Sequence, residues 1–228
     1  RAEAEQALGL TDAWPIQRER FAQWVVGDDT QGLGAADAAT FAEAGVILTG
    51  DVAGFERAKL RLLNGAHSTL AYVGLALGFA TVAQAMAEPR LAAFIEALMR
   101  REIAPTLTPP AGLHLDSYIG HVLGRFRNPA IVHRLSQIAW DGSQKLPVRL
   151  FATIQDALSQ DLRIDRLATG VSAWMLFVRR QAQAGEALVD PLARDLVATA
   201  RACTGEPASD VGRFLALAQV FARPLAEN

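Results

Sequence analysis

Phe55-Glu56-Arg57-Ala58-Lys59-Leu60-Arg61-Leu62-Leu63-Asn64-Gly65-Ala66-His67-Ser68 is the stretch on which the reading of this chain turns. Its apolar residues Phe55, Ala58, Leu62 and Ala66 recur at steps of three and four, which predicts an α-helix with one side in a core. Beside that side stand Lys59, Asn64 and His67. At about 100° per residue, with Lys59 as the origin, Asn64 lies at roughly 140° and His67 at roughly 80°. All of them can therefore look into one cavity. A lysine drawn into an apolar wall holds its proton less firmly and can exchange it with an alcohol. Asn64 can donate from its amide to an oxygen that gains negative charge, and His67 can donate to or orient the same ligand. Glu56, one turn before Lys59, can pair with it or pass its proton to water. On spacing alone a second account stands beside this one, with Lys59 reaching out to water, Asn64 bonded to backbone and His67 a satisfied core histidine.

Outward from that stretch, Leu62 to Ala87 carries no Asp, Glu, Lys or Arg. A run of that length could cross a bilayer as one helix. Asn64, His67, Ser68, Thr69 and Gln84 within it, and a break over Gly78 to Thr81, favour instead a central helix buried inside an α-domain. Thr81 reads as an N-cap and Pro89 as the first turn of the next helix. Further helices are expected from a cap at Asp116, over Ile131 to Trp140, Pro147 to Leu158, Arg166 to Ala184, Pro191 to Ala202 and Ser209 to Phe221. Strand signals are few and early, at Phe21 to Val26 and Val46 to Leu48. The expectation is a single, mainly α domain over 1–228, with a 1–52 segment that holds a small β element and a helical core from 53 to 228.

The chain has 228 residues, 51% apolar and 20% charged, with a net charge of −2, a globular composition able to bury a sizeable core. That charge gives no electrostatic reason to expect nucleic acid or an anionic membrane as a partner, so a small-molecule ligand is expected. The single cysteine, Cys203, fits a reducing, cytoplasmic setting. His114, His121 and His133 lack a carboxylate or cysteine at a zinc spacing, so no metal is expected. No Gly-x-Gly-x-x-Gly follows a strand, so a dinucleotide fold is not encoded in these residues. A second polar group, Asp141, Gln144, Lys145 and Arg149, gathers around the turn Asp141-Gly142-Ser143. Alone it reads first as an ordinary charged helix end, and only second as a ligand site.

Lys59, Asn64 and His67 in their stretch resemble the K-x-x-x-x-N-x-x-H signature of the polyol-specific long-chain dehydrogenases, the family of mannitol 2-dehydrogenase and fructuronate reductase. Phe21-Ala22-Gln23-Trp24-Val25-Val26 is similar to the family's Gln-Trp-Val segment, and Gly45 to Val52 to the strand before its catalytic helix. Ile138 to Pro147 is similar to its Asp-Gly-Ser-x-Lys segment. The resemblance implies a multi-helical C-terminal domain of the 6-phosphogluconate-dehydrogenase-like type, whose partner, an N-terminal Rossmann domain holding NAD, lies outside this chain. It implies Lys59 as general base in alcohol oxidation and acid in ketone reduction, Asn64 as oxyanion donor, His67 as substrate partner and Glu56 as modulator of the lysine's proton exchange. It also implies that Lys145, with Gln137, Asp141 and Arg149, contacts a polyol or sugar acid. Gln137 stands where mannitol 2-dehydrogenases are expected to carry arginine, which is closer to the fructuronate reductase side. The competing expectation is a non-catalytic helical module that keeps the fold for binding or association.

Overall fold

A computed structural model of the chain describes residues 2–14, 16, 19, 21–28 and 34–221. Contacts divide the chain into two compact units, Arg1–Leu48 and Thr49–Asn228. The first contains α1 (Ala2–Leu8), β1 (Trp24–Gly27), α2 (Ala35–Glu43) and the start of β2 (Val46–Thr49). β1 and β2 pair into a two-stranded sheet, as the β-branched and aromatic runs predict. Trp24 meets Phe41 edge-on, with ring centroids 6.1 Å apart.

The second unit is helical among its described residues after β2. Asp51 caps α3 (Val52–Ala58) by accepting from the Gly54 amide at 2.9 Å. The chain then widens into a π-helix over Lys59–Gly65 before α4 (Ala66–Ala76). α4 is the charge-free run's answer to water: Ala66, Ser68, Thr69, Leu70, Ala71, Tyr72 and Gly74 are all buried. A helix apolar on every side belongs inside a bundle. No helix among the described residues is long and apolar enough to cross a membrane.

Around α4 stand α5 (Val82–Ala87) and α6 (Pro89–Leu98), a π-turn at Met99–Ile103, α7 (Leu115–Phe126), α8 (Leu135–Ile138) and α9 (Gly142–Leu146). A third π-segment, Pro147–Phe151, leads into α10 (Ala152–Ser159), followed by α11 (Asp165–Ala184), α12 (Ala193–Arg201) and α13 (Pro207–Leu215). Thr81 and Gln84 form a capping box at the head of α5, and Pro89 occupies the first turn of α6. Glu102, 1% exposed, caps α11 from outside it: its carboxylate accepts the amides of Arg166 and Leu167, each at 2.9 Å at its shortest, and Arg166 Nη1 at 3.0 Å. A buried charge is tolerable there because donors surround it.

Three of the expected helices differ in outline, and the one expected over Ser209 to Phe221 starts at Pro207 and ends at Leu215. α7 begins at Leu115 with His114 at its cap, which leaves Asp116 in the first turn, where it bonds Arg100 at 2.7 Å. The helix expected over Ile131 to Trp140 shrinks to Leu135–Ile138. Residues before it pair with the loop ahead of α5 instead: the Val82 amide donates to His133 O and the Leu135 amide to Ala80 O, each at 3.0 Å. Extended pairing across the chain has displaced a helix that local periodicity favoured.

Candidate active site

All the residues singled out for chemistry lie in the second unit. The signature stretch builds one wall. Lys59 opens the π-helix and Asn64 lies five residues on within it. An i→i+5 helix is wound more loosely than an α-helix, so residues five apart lie nearer to one another around it. The segment therefore brings Lys59 and Asn64 nearer to one face than the α-helical angle of roughly 140° between them would. Such one-turn π-segments recur at functional sites.

Lys59 and Glu56 are exposed and Asn64 half-buried. Among the described residues none of their side chains has a hydrogen-bond or ion-pair partner, so the Glu56–Lys59 pair considered from spacing is absent. The apolar burial expected around Lys59 is also not supplied by this unit: Lys59 is exposed, while Arg61 and Leu62 are buried.

His67, at the head of α4, stacks on Phe126 of α7 with ring centroids 5.1 Å apart and 23° between planes. His133 lies tilted beside it at 5.9 Å. Burial first, and then the positive charges of His133, Arg149, Arg125 and Lys145, lower the His67 pKa to about 4. The ring is thus neutral at pH 7, with one donor and one acceptor nitrogen. Its Nε2 is buried and has no hydrogen-bond partner among the described residues. An orphaned polar atom of that kind fits a ligand oxygen.

The second wall comes from residues 137–149. Asp141 adopts the left-handed conformation, φ 55° and ψ 37°, which an Asx side chain tolerates better than most. Its carbonyl accepts the amides of Gln144 at 3.1 Å and Lys145 at 2.9 Å, starting α9. Gly142 has to be glycine, because a Cβ there would collide with Trp174 Nε1 and come within 2.7 Å of the Tyr72 hydroxyl. Lys145 Nζ reaches Ile138 O at 3.5 Å and Asp141 Oδ2 at 3.9 Å. Burial and then Arg149 hold the Lys145 ammonium below its usual range, opposed by Asp141 and Asp190. Arg149 Nη1 donates to Ser68 Oγ at 3.0 Å, which ties this wall to α4 one residue after His67. Burial also lowers the Arg149 pKa from the ordinary guanidinium value. Gln137 is exposed on the last turn before the Asp141 bend.

The walls meet at Gly65. A Cβ there would sit 2.7 Å from the backbone carbonyl of Arg149, so the π-helix Lys59–Gly65 and the π-segment Pro147–Phe151 touch backbone to backbone. One hollow of about 770 Å³ lies elsewhere, lined by Val73, Leu77, Phe79, Leu91 and Phe94 with Thr169. Glu88 and Arg90 also line it, and it contains none of the site residues above. No group of three or more His, Cys, Asp or Glu able to hold a metal occurs among the described residues.

Residues 51–228 match the model of the mannitol dehydrogenase C-terminal domain, and the chain belongs to that family. It is 39% identical to a D-mannonate oxidoreductase of Escherichia coli K12 over 99% of this chain and 46% of that protein. It is 33% identical to a mannitol 2-dehydrogenase of Aspergillus fumigatus over 89% of this chain and 40% of that protein. Among solved structures, mannitol 2-dehydrogenase of Pseudomonas fluorescens in a ternary complex with NAD and D-mannitol superposes with a TM-score of 0.82 at 30% identity, covering 100% of this chain and 45% of that one. The chain spans about half the length of the relatives it matches. The mainly helical fold with a small N-terminal sheet agrees with that family.

Several contributors to the site carried no signal in the sequence. Phe126 under His67, Ser68 on Arg149, and Val189 and Asp190 against the Asp141 turn are brought in by tertiary contact alone.

Proposed function

We propose that the protein of which this chain forms the catalytic domain is an NAD-dependent dehydrogenase that interconverts a polyol or sugar acid with its ketose or keto acid. The reading is carried by one observation: on the stretch that holds an exposed Lys59 and a half-buried Asn64 without side-chain partners among the described residues, the Nε2 of a neutral His67 is buried and has none either. Lys59 takes the hydroxyl proton in oxidation and returns it in reduction. Asn64 donates its amide N–H to the reacting oxygen as negative charge grows there, and His67 Nε2 bonds the same oxygen or its neighbour. Glu56, exposed one turn from Lys59, passes the lysine's proton to water. Lys145, Arg149, Asp141 and Gln137 bind the remaining hydroxyls or a carboxylate.

NAD, when bound, would accept the hydride from the carbinol carbon. The described residues offer it no dinucleotide cradle, since their only sheet is two-stranded. A second, dinucleotide-binding half of the whole protein is the partner that would supply one, and closure of that half over Lys59 would provide the burial this unit lacks. Residues 53–228 carry the substrate side of that enzyme, in the cytoplasm, where the free thiol of Cys203 is stable.

The test is turnover by the full-length protein with NAD on mannitol, arabinitol, sorbitol, mannonate and altronate, followed by reduced-cofactor absorbance. Oxidation of at least one, lost in Lys59→Met, is the expected result. No turnover on any of them, with the protein folded, would favour the association module.

A further inference from the structure

Lys145 is held by long contacts of its own, 3.5 Å to Ile138 O and 3.9 Å to Asp141 Oδ2. The turn it stands on is held far more tightly, and from a distance in sequence. Asp190, in the loop between α11 and α12, receives the Ser143 amide on Oδ2 at 2.9 Å and the Ser143 hydroxyl on Oδ1 at 2.5 Å. Its Oδ1 also accepts the Leu192 amide at 2.9 Å, which fixes the carboxylate to its own loop. One residue earlier, Val189 O accepts the Asp141 amide at 2.9 Å. The pair Val189-Asp190 thus clasps both ends of the Asp141-Gly142-Ser143 turn, and Lys145 follows two residues beyond it.

We propose that Asp190 is a positioning residue for the substrate wall: by pinning Ser143 it sets where the Lys145 ammonium stands. Bonds to a carboxylate are shorter and stronger than neutral ones, and a side chain without firm contacts inherits its place from the backbone that carries it. Asp190 acts a second way, through charge. Facing Lys145 are Asp141 on its own turn, Arg149 on the following π-segment, His67 on α4 and Asp190 from the far loop. Asp190 and Asp141 support the ammonium against burial and Arg149. The inference rests on the reading of Lys145 as a substrate contact.

The experiment is steady-state kinetics of the full-length protein on whichever polyol or sugar acid it oxidises, with Asp190→Ala, Asp190→Asn and Lys145→Met beside the parent. Lys145→Met should raise KM; if it does not, the reading of Lys145 falls, and this proposal with it. Given that rise, Asp190→Ala should raise KM on the order of tenfold, the worth of one charge-assisted hydrogen bond, with kcat little changed. Asp190→Asn, which keeps the shape and one acceptor, should fall between. In both Asp190 variants the alkaline rise in KM should move to lower pH, because the ammonium has lost a supporting charge. A purely structural Asp190 would lower the unfolding temperature and leave KM and its pH profile alone, and that outcome overturns the proposal. Should Asp190→Ala not fold, Ser143→Ala removes one donor to the same carboxylate. A KM shift in the same direction is expected there, and an unchanged KM overturns the proposal equally.

Discussion

The two walls of the site are built on opposite plans. In the first, Glu56 on α3 and Lys59 and Asn64 on the π-helix project with no side-chain partner among the described residues. In the second, the Asp141 turn is clasped by Val189 and Asp190, Arg149 is bonded to Ser68, and Lys145 stands between them. A proton-exchanging group has to change its bonds during the reaction, so bonds made in advance to the protein would compete with the substrate. A group that only orients hydroxyls loses nothing by being held, and gains from being placed before the substrate arrives. His67 joins the plans: its ring is fixed by stacking on Phe126, while its Nε2 is left without a partner.

The contrast breaks most sharply at Lys59. Lys59→Met in the full-length protein should lower kcat by roughly 10³-fold in both directions, as for loss of a general acid–base group. Unfolding by urea should shift by less than about 0.5 kcal/mol, since the side chain is exposed and unpaired. A large stability loss would mean that Lys59 has a structural partner. Asn64→Ala should follow, with kcat down by about 10²-fold from loss of one oxyanion donor and KM nearly unchanged.

His67 supplies a prediction on stability and pH. Its folded pKa of about 4 lies below the ordinary 6.5, so between those values the unfolded chain takes up a proton that the folded one refuses. The stabilisation is whole above pH 6.5 and is lost as pH falls towards 4, about 3 kcal/mol in all. Urea titrations of the parent and His67→Gln across that window should therefore converge as pH falls. Parallel curves would show that burial does not hold the ring neutral. The smallest effect is expected at the seam: Gly65→Ala drives a methyl against Arg149 O and should cost roughly 1–3 kcal/mol, measured by urea unfolding. It should also disturb KM, because the seam sets one wall against the other.

How much of this was legible follows the same division. The helical periodicity, the Thr81 cap and Pro89 at a helix start depend on residues a few positions apart, and the structure keeps them. The helix over Ile131 to Trp140 was locally sound too, yet residues 131–134 found partners near Ala80 and Val82 that no local pattern announces. For the site, Lys59, Asn64 and His67 could be named from the signature. Their arrangement could not, because angles drawn for an α-helix do not hold where the chain makes i→i+5 bonds. Lys59, expected against an apolar wall, is exposed. Asp190 was beyond reach, since Ser143 lies 47 residues away from it and nothing in Val189-Asp190-Pro191 marks it as more than a loop.

By itself, then, the sequence determined the residue types and the order in which they occur: a charge-free central helix, a lysine, asparagine and histidine at its head, and an Asp-Gly-Ser turn before a second lysine. Hydrophobic periodicity and turn chemistry are short-range, and they can be read along the chain. Only the tertiary structure decided which groups stay unpaired and which are clasped. That outcome depends on Gly65 meeting the Arg149 carbonyl, His67 on Phe126 and Asp190 beneath Ser143. Contacts of that kind join residues far apart in the chain, where side-chain packing and hydrogen-bond completion, rather than local preference, set the minimum.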